Sequence, residues 1–145
     1  MPVIEMKLKQ AKSLFFDRQA VMNSVNRAER RVLSKFGAFV RRGARSSIRK
    51  RKATSEPGKP PSSHTGLLRQ TIFFVYEPNR ASVVIGPLEL NRGTEAPRLL
   101  EHGGQVVRKE RQKRVTMTYR PRPFMGPAFD REVPKLPALW RDSVR

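Results

Sequence analysis

A run rich in proline and glycine divides this chain into two unlike parts. Residues 56–61 read EPGKPP, and a helix cannot continue through three prolines in six positions. Before the run lies one long, basic, periodic pattern, and after it come short apolar segments separated by turns. We interpret residues 1–145 as a single domain with a flexible arm at 53–64, followed by a short helix over 66–70 with Thr65 as its N-cap.

The part before the arm is predicted to form one long basic helix over residues 17–52, with Asp17 as the N-cap. Its apolar residues recur every three or four positions, which places them on one helix face. They are Val21, Val25, Ala28, Val32, Phe36, Phe39 and Val40. Residues 3–16, which begin with alternating apolar and polar side chains, favour a short edge strand.

The part after the arm, residues 65–145, is predicted to form a small antiparallel sheet of about four strands with short C-terminal helices. Residues 71–86 and 106–119 are rich in β-branched and aromatic residues and have central turns, which predicts two hairpins. In the second hairpin, Val115, Met117 and Tyr119 alternate with threonines, a pattern typical of a strand with one buried face. A helical turn over 96–102 is predicted to end at Gly103. The predicted fold class is α+β.

The formal net charge of +19 is distributed unevenly along the chain. Residues 1–52 carry +12, residues 53–105 are neutral and residues 106–145 carry +7. Two segments hold most of the local excess, and either could contact nucleic acid or an acidic protein partner, or could simply be solvated. The first segment contains Arg41, Arg42, Arg45, Arg49, Lys50, Arg51 and Lys52, and the second, at the tip of the 106–119 hairpin, contains Arg108, Lys109, Arg111, Lys113 and Arg114.

No constellation of residues in the sequence predicts catalysis. His64 and His102 lack metal-ligand spacing, there is no cysteine, and Gly103-Gly104 is more simply a helix stop than a phosphate loop. We therefore predict neither enzymatic activity nor a cofactor. No apolar run approaches the ~20 residues of a membrane span, and the N-terminus lacks an apolar signal core, so we expect a protein made in the cytoplasm without a membrane partner.

Three segments, in order along the chain, carry a resemblance to a known family. The first is EPGKPP followed by TGLLR before a strand, at 56–69. The second is APRLLEHG at 96–103, and the third is RPFMGPAF at 122–129. In this order they resemble the head-tail joining and tail-completion proteins of long-tailed, lambda-like bacteriophages. The resemblance covers roughly the C-terminal half of the chain.

The resemblance implies a structural virion protein of the phage neck or upper tail. Its members form rings around the DNA channel, so a homo-oligomeric ring, by analogy with tail symmetry a hexamer, is expected. The implied partners are neighbouring neck, connector and tail-tube proteins and the genomic DNA passing through. Arg122, Phe124, Phe129 and Trp140 are subunit-interface candidates, although Phe124 and Phe129 also fit a simple core role. The alternative is a stand-alone basic nucleic-acid-binding protein, which the charge supports equally well.

Overall fold

The structure is a computed structural model that describes residues 17–88, 95–110 and 113–144. It has the predicted α+β class, with a long helix, antiparallel hairpins and short C-terminal helices. The predicted edge strand at 3–16 lies outside the described residues. The elements in chain order are α1 Arg18–Ser47, β1 Arg49–Lys50, β2 Ser62–Ser63, α2 Leu67–Gln70, β3 Ile72–Glu77, β4 Ser82–Pro87, α3 Ala96–His102, β5 Gly104–Glu110, β6 Lys113–Tyr119, α4 Met125–Glu132 and α5 Leu136–Trp140.

Helix α1 is the element on which most of the core is built. Asp17 is its N-cap as predicted, with Oδ1 accepting a hydrogen bond from Ala20 N at 3.0 Å. Residues four positions apart form one buried ridge, and the β3–β4 hairpin, α4 and α5 all pack against the helix. The ridge consists of Ala28, Val32, Phe36, Val40, Ala44 and, just beyond the helix, Ile48. It is completed by Leu68, Ile72, Phe124 and Ala128 from the rest of the chain.

The four predicted antiparallel strands are present, but they form two separate hairpins rather than one sheet. In the first, β3 pairs with β4 from Ile72 opposite Pro87 to Glu77 opposite Ser82. In the second, β5 pairs with β6 from Gly104 opposite Tyr119 to Glu110 opposite Lys113. Charged side chains are frequent along β5 and β6, and charge on an exposed hairpin disfavours pairing with further strands.

Helix α1 ends at Ser47, five residues earlier than predicted. Ile48 is extended and buried, and it turns the chain into β1, which pairs in parallel with β2 through Arg49 opposite Ser62 and Lys50 opposite Ser63. Arg49 to Lys52 therefore do not form a helix end. A buried apolar residue at the turn stabilises the change of direction, since Ile48 would leave the core if the helix continued.

The segment predicted to be a flexible arm packs against the rest of the domain. Ser55 and Ser63 are buried, and Gly58 N donates a hydrogen bond to Pro121 O at 2.9 Å. The prolines stop the helix as predicted, but they do so within a segment that has specific contacts. The short helix after it is four residues long, with Gly66, at φ +83°, in place of Thr65 as the N-cap.

Candidate interaction site

The three segments that carry the family resemblance meet in space around Arg122. Its Nε donates to Ser55 O at 2.9 Å, and its backbone N donates to Leu100 O at 2.6 Å. Together with the Gly58–Pro121 bond, these contacts link the arm, helix α3 and the segment before α4. Arg122, an interface candidate from the sequence, therefore holds three parts of one chain together.

Glu101 is the second centre of this junction. Its Oε2 accepts hydrogen bonds from Phe124 N at 2.8 Å and Met125 N at 3.0 Å, and its Oε1 accepts one from Gly126 N at 2.7 Å. The carboxylate thus caps the first N–H groups of α4, where the helix dipole also favours negative charge. A side chain of α3 thereby fixes the start of α4. The sequence contained this glutamate in a turn motif, but nothing in its spacing indicated a cap 23 residues away.

The junction clamps the base of the β5–β6 hairpin. Gly103 links α3 to β5 at φ +72°, and a Cβ there would lie 2.9 Å from Tyr119 O and 3.0 Å from the Pro121 ring. Both ends of the hairpin are therefore held in close contact. Beyond this base nearly every residue of β5 and β6 is exposed, and the two strands make their main contacts with each other.

One face of this hairpin is apolar. Directly paired residues share a face, so Val106 lies beside Met117 and Arg108 beside Val115. Val115 and Met117 are 40% and 39% exposed. The sequence pattern correctly indicated an alternating strand, but no described element covers the face that was expected to be buried. At its base the face continues into a groove of about 640 Å³ between α3 and the hairpin, lined by Glu95, Ala96, Leu99, Leu100, Val106, Arg108 and Tyr119.

The opposite face of the hairpin is polar and basic. It carries Lys109 paired with Arg114, two threonines and Gln105, with Val107 as its apolar member. Arg108 and Lys113, on the apolar face, are exposed, so four of the five predicted basic tip residues are solvent-accessible. Arg111 lies outside the described residues. The cations therefore surround the apolar face rather than form one separate patch.

The other predicted basic segment, 41–52, has two parts with different surroundings. Arg41 is half-buried; its Nε donates to Ile72 O at 2.7 Å and its guanidinium lies 5.4 Å from the Phe73 ring centroid. Arg42 lies over Phe39, and Arg45 is half-buried. The exposed cations Arg49, Lys50, Arg51 and Lys52 follow the end of α1. Arg41 therefore contributes to packing, Arg42 is exposed while it contacts Phe39, and the four residues 49–52 form the main accessible basic surface.

The remaining interface candidates are distributed between the core and the surface. Phe124 is 2% exposed and belongs to the core, so its side chain does not face a neighbouring subunit. Phe129 is 46% exposed, and its ring packs edge-to-face on Phe36 with centroids 5.6 Å apart. Trp140, 40% exposed, lies at the end of α5. Phe129 and Trp140 thus retain surface that another molecule could cover.

The first two turns of α1 carry the start of the predicted apolar stripe as a further exposed surface. Val21, Met22 and Val25 continue the buried ridge towards the N-terminus but are exposed. Farther along the helix, the Tyr76 hydroxyl of the β3–β4 hairpin donates to Glu29 Oε1 at 3.4 Å. Desolvation and the charge of Glu29 raise the pKa of Tyr76. The stripe was predicted from its period, but the length of helix that other elements cover is a tertiary property.

Within the described residues, no cluster of three or more His, Cys, Asp or Glu side chains is arranged to bind a metal ion. No helix among them is both long and apolar enough to cross a membrane. His64 lies in the bend between β2 and α2, His102 is the last residue of α3, and both are exposed. The site is therefore described by surfaces: a clamped hairpin with an apolar face, an apolar helix start and a short basic strand.

Comparison with protein-family models, with curated proteins and with solved structures found no match for this chain.

Proposed function

We propose that this chain is a structural subunit of a ring at the phage head-tail junction, in a tail-completion or tail-terminator role around the DNA channel. The family resemblance names the class, and one observation supports assembly: the apolar face of the β5–β6 hairpin is exposed. Apolar strand faces are normally covered, and a clamped hairpin with an open apolar face needs a partner. Its clamped base presents that face in a defined direction, as an assembly contact requires.

The partner that we propose for this face is the helix start of a second copy. Val21, Met22 and Val25 offer an apolar surface of comparable size. Residues 17–26 contain one acid and one base, so this part of a strongly basic chain is locally neutral. A hairpin surrounded by cations meets less repulsion there than at the basic strand 49–52.

Two different surfaces on one subunit produce a head-to-tail contact. Such a contact closes into a ring when the rotation between subunits allows it, and otherwise builds a filament. Helix α4, whose start is capped by Glu101 at the hairpin junction, packs at Gly43 in the C-terminal half of α1, and Val21 lies 22 residues earlier, about 33 Å along the helix. The separation is suited to a subunit that contacts a different neighbour at each end.

The test is the assembly state of surface variants. Two double variants place glutamates on the proposed contact, V115E/M117E on the hairpin and V21E/V25E on the helix start. Each is expected to weaken self-association at least 10-fold in analytical ultracentrifugation. The matched control is T116E/T118E, which adds the same charge to the opposite hairpin face and is expected to associate at least as well as the parent. Electron microscopy of the parent protein is expected to show closed rings, with six subunits as the leading expectation.

A compensation experiment identifies the contact itself. Met117→Glu in one chain and Val25→Lys in another each weaken self-association, and mixing the two variants is expected to restore it through the new ion pair. Equal loss in the control variant, or a parent that is monomeric both alone and in purified particles, would contradict the proposal. A lower free energy of unfolding in V21E/V25E without any change in assembly would show instead that the helix start is covered within one chain.

A stand-alone nucleic-acid-binding protein is the second candidate, favoured by the exposed cations of Arg49 to Lys52. The two candidates differ in what a single subunit does. A stand-alone binder retains tight duplex binding as a monomer at physiological salt, whereas a ring subunit depends on assembly for its tight contacts.

A further inference from the structure

A basic notch lies where α1 ends and the chain enters β1. It encloses about 400 Å³ and is lined by Ser46, Ser47, Arg49, Arg51, Lys59, Pro60 and Pro61. Three of these seven residues are cations, two carry hydroxyl groups and none is acidic. Glu56, beside the notch, forms an exposed ion pair with Lys59 at 2.6 Å, so the two arginines contribute most of its uncompensated charge.

The short parallel strand pair determines which cations line the notch. Because side chains alternate along an extended strand, Lys50 projects to the side opposite Arg49. Beyond β1, Arg51 lines the notch together with Arg49, whereas Lys52, at a bend, does not. Lys50 extends instead towards Gly66, with its Cδ 4.0 Å from the position of a Cβ there. Pairing of β1 with β2 thus divides a run of four consecutive cations into two arginines in a concavity and two lysines outside it.

One arginine of the notch is oriented by the protein. Arg51 Nε donates to Ser62 Oγ at 2.8 Å, which fixes the guanidinium plane. Neither of its Nη groups has a hydrogen-bond partner among the described residues. The Nε bond orients the guanidinium, and its two terminal nitrogens remain as donors. Together they form a planar fork that can make two parallel hydrogen bonds to an anion.

We infer that this notch binds a phosphate group of a nucleic-acid backbone. Arg49 and Arg51 are the charged donors, and Lys59, paired with Glu56, lies at the rim. The Ser46 and Ser47 hydroxyls line the same space but donate to Gly43 O and Ala44 O within α1, which leaves the two arginines as the donors to the phosphate. The contact reads no base, because phosphate contacts position a nucleic acid without reporting its sequence. The inference assigns the DNA contact to one site. A monomer can form this contact because all the residues of the notch belong to one chain.

The lining favours a phosphodiester over an acidic peptide. A bound peptide needs apolar anchors for tight binding, and the notch offers two prolines and no aromatic or large aliphatic side chain. The exposed lysines outside the notch extend the positive surface beyond it, which suits a ligand with regularly repeated charges. An acidic protein partner is therefore the alternative outcome of the test.

The test compares two variants of equal charge. Arg49→Gln/Arg51→Gln removes the two notch cations, and Lys50→Gln/Lys52→Gln removes two neighbouring ones that lie outside the notch. Binding of a fluorescent 20-base-pair duplex to each monomeric variant is measured across a salt series. The notch contacts one phosphate, so losing it lowers the steepness of log K against log salt by about 0.9. We expect that change for the arginine variant, with at least 10-fold weaker binding at low salt, and less than half of both effects for the lysine variant.

Further variants and measurements identify the ligand and control for folding. Ser62→Ala leaves the charge intact but removes the acceptor that orients Arg51, and a 2- to 5-fold loss of affinity is expected. Circular dichroism and a urea unfolding curve for each variant check that β1 and β2 still pair. Equal losses in the arginine and lysine variants would overturn the inference in favour of diffuse attraction. Unchanged duplex binding combined with lost binding of a poly-glutamate peptide would overturn it in favour of an acidic protein partner.

Phosphate binding by the notch is argued independently of the proposed function. Only the identification of the bound nucleic acid as the genomic DNA in the channel rests on that function. Failure of the notch leaves ring assembly through the hairpin untouched, because Arg49 and Arg51 are remote in sequence from Val21, Val115 and Met117. Failure of assembly leaves duplex binding by the monomer measurable. The two outcomes are therefore distinguishable with the same set of purified variants.

Discussion

At the scale of single residues, we expect the carboxylate of Glu101 to contribute more to the stability of the fold than the exposed ion pairs of the surface. It accepts three backbone hydrogen bonds at the start of α4 and links that helix to α3. Surface ion pairs such as Arg98 with Glu95, 3.7 Å apart and well exposed, contribute little by comparison. The difference has a simple cause. Removing the Glu101 carboxylate leaves backbone N–H groups without an acceptor, whereas removing that of Glu95 leaves only the solvated charge of Arg98.

We expect Glu101→Ala to lower the free energy of unfolding by about 2–3 kcal/mol, because three partly buried N–H groups lose their acceptor. Glu101→Gln, which keeps one carbonyl oxygen, is expected to cost about half as much. Urea unfolding followed by circular dichroism measures both. The control is Glu95→Ala at the N-cap of the same helix, where the side chain makes no capping hydrogen bond, and it is expected within about 0.5 kcal/mol of the parent. An E101A variant as stable as E95A would show that the cap is dispensable.

Residue-level periodicity predicted which face of α1 is buried but not how closely its neighbours approach. A Cβ on Gly37 would lie 2.9 Å from both Phe74 and Val83, so this glycine allows the β3–β4 hairpin to pack on the helix. From the sequence, Gly37 could only be interpreted as a weak point of the helix. Likewise, local signals identified Asp17 as an N-cap, whereas the cap from Glu101 depends on tertiary contacts.

At the scale of elements, the β5–β6 hairpin is separable from the core. None of its described residues, 105–110 and 113–118, is buried, and its paired ends, Gly104 and Tyr119, are adjacent. The alternation of its side chains between two faces was predictable, as were both hairpins and the turn that ends at Gly103. The separation into two hairpins was not, because edge pairing depends on charges and on linkers rather than on strand propensity.

Replacing residues 105–118 with an Asn-Gly turn between Gly104 and Tyr119 tests this separability. We expect the free energy of unfolding to stay within about 1 kcal/mol of the parent, since those of the replaced residues that the structure describes fill no core position and Asn-Gly suits a two-residue hairpin turn. Self-association is expected to disappear. A shortened chain that loses cooperative unfolding would show that the hairpin stabilises the domain, and one that still assembles would exclude it as the contact.

At the scale of the whole molecule, apolar attraction and charge repulsion oppose each other in assembly. Covering a side chain that is about 40% exposed yields roughly 1 kcal/mol, so the five apolar residues of one hairpin–helix contact contribute roughly 5 kcal/mol. That is at the lower end of what association of two proteins costs in lost freedom of motion, about 4–15 kcal/mol. One contact is therefore too weak for a stable dimer. Closing a ring, in which every subunit makes two contacts, favours assembly in one cooperative step.

The net charge of +19 makes salt act in opposite directions on the two proposed activities. Screening reduces repulsion between chains, so we expect self-association to strengthen as NaCl rises from about 50 to 500 mM, where the Debye length falls well below 10 Å. Duplex binding is expected to weaken over the same range as counterions are released less favourably. Sedimentation velocity and fluorescence anisotropy on one preparation measure both. At low salt, duplex DNA is expected to promote assembly of the parent by neutralising it, but not of V115E/M117E, which serves as the control. Self-association that weakens with salt in parallel with DNA binding would contradict an apolar contact and would indicate that subunits associate through ion pairs.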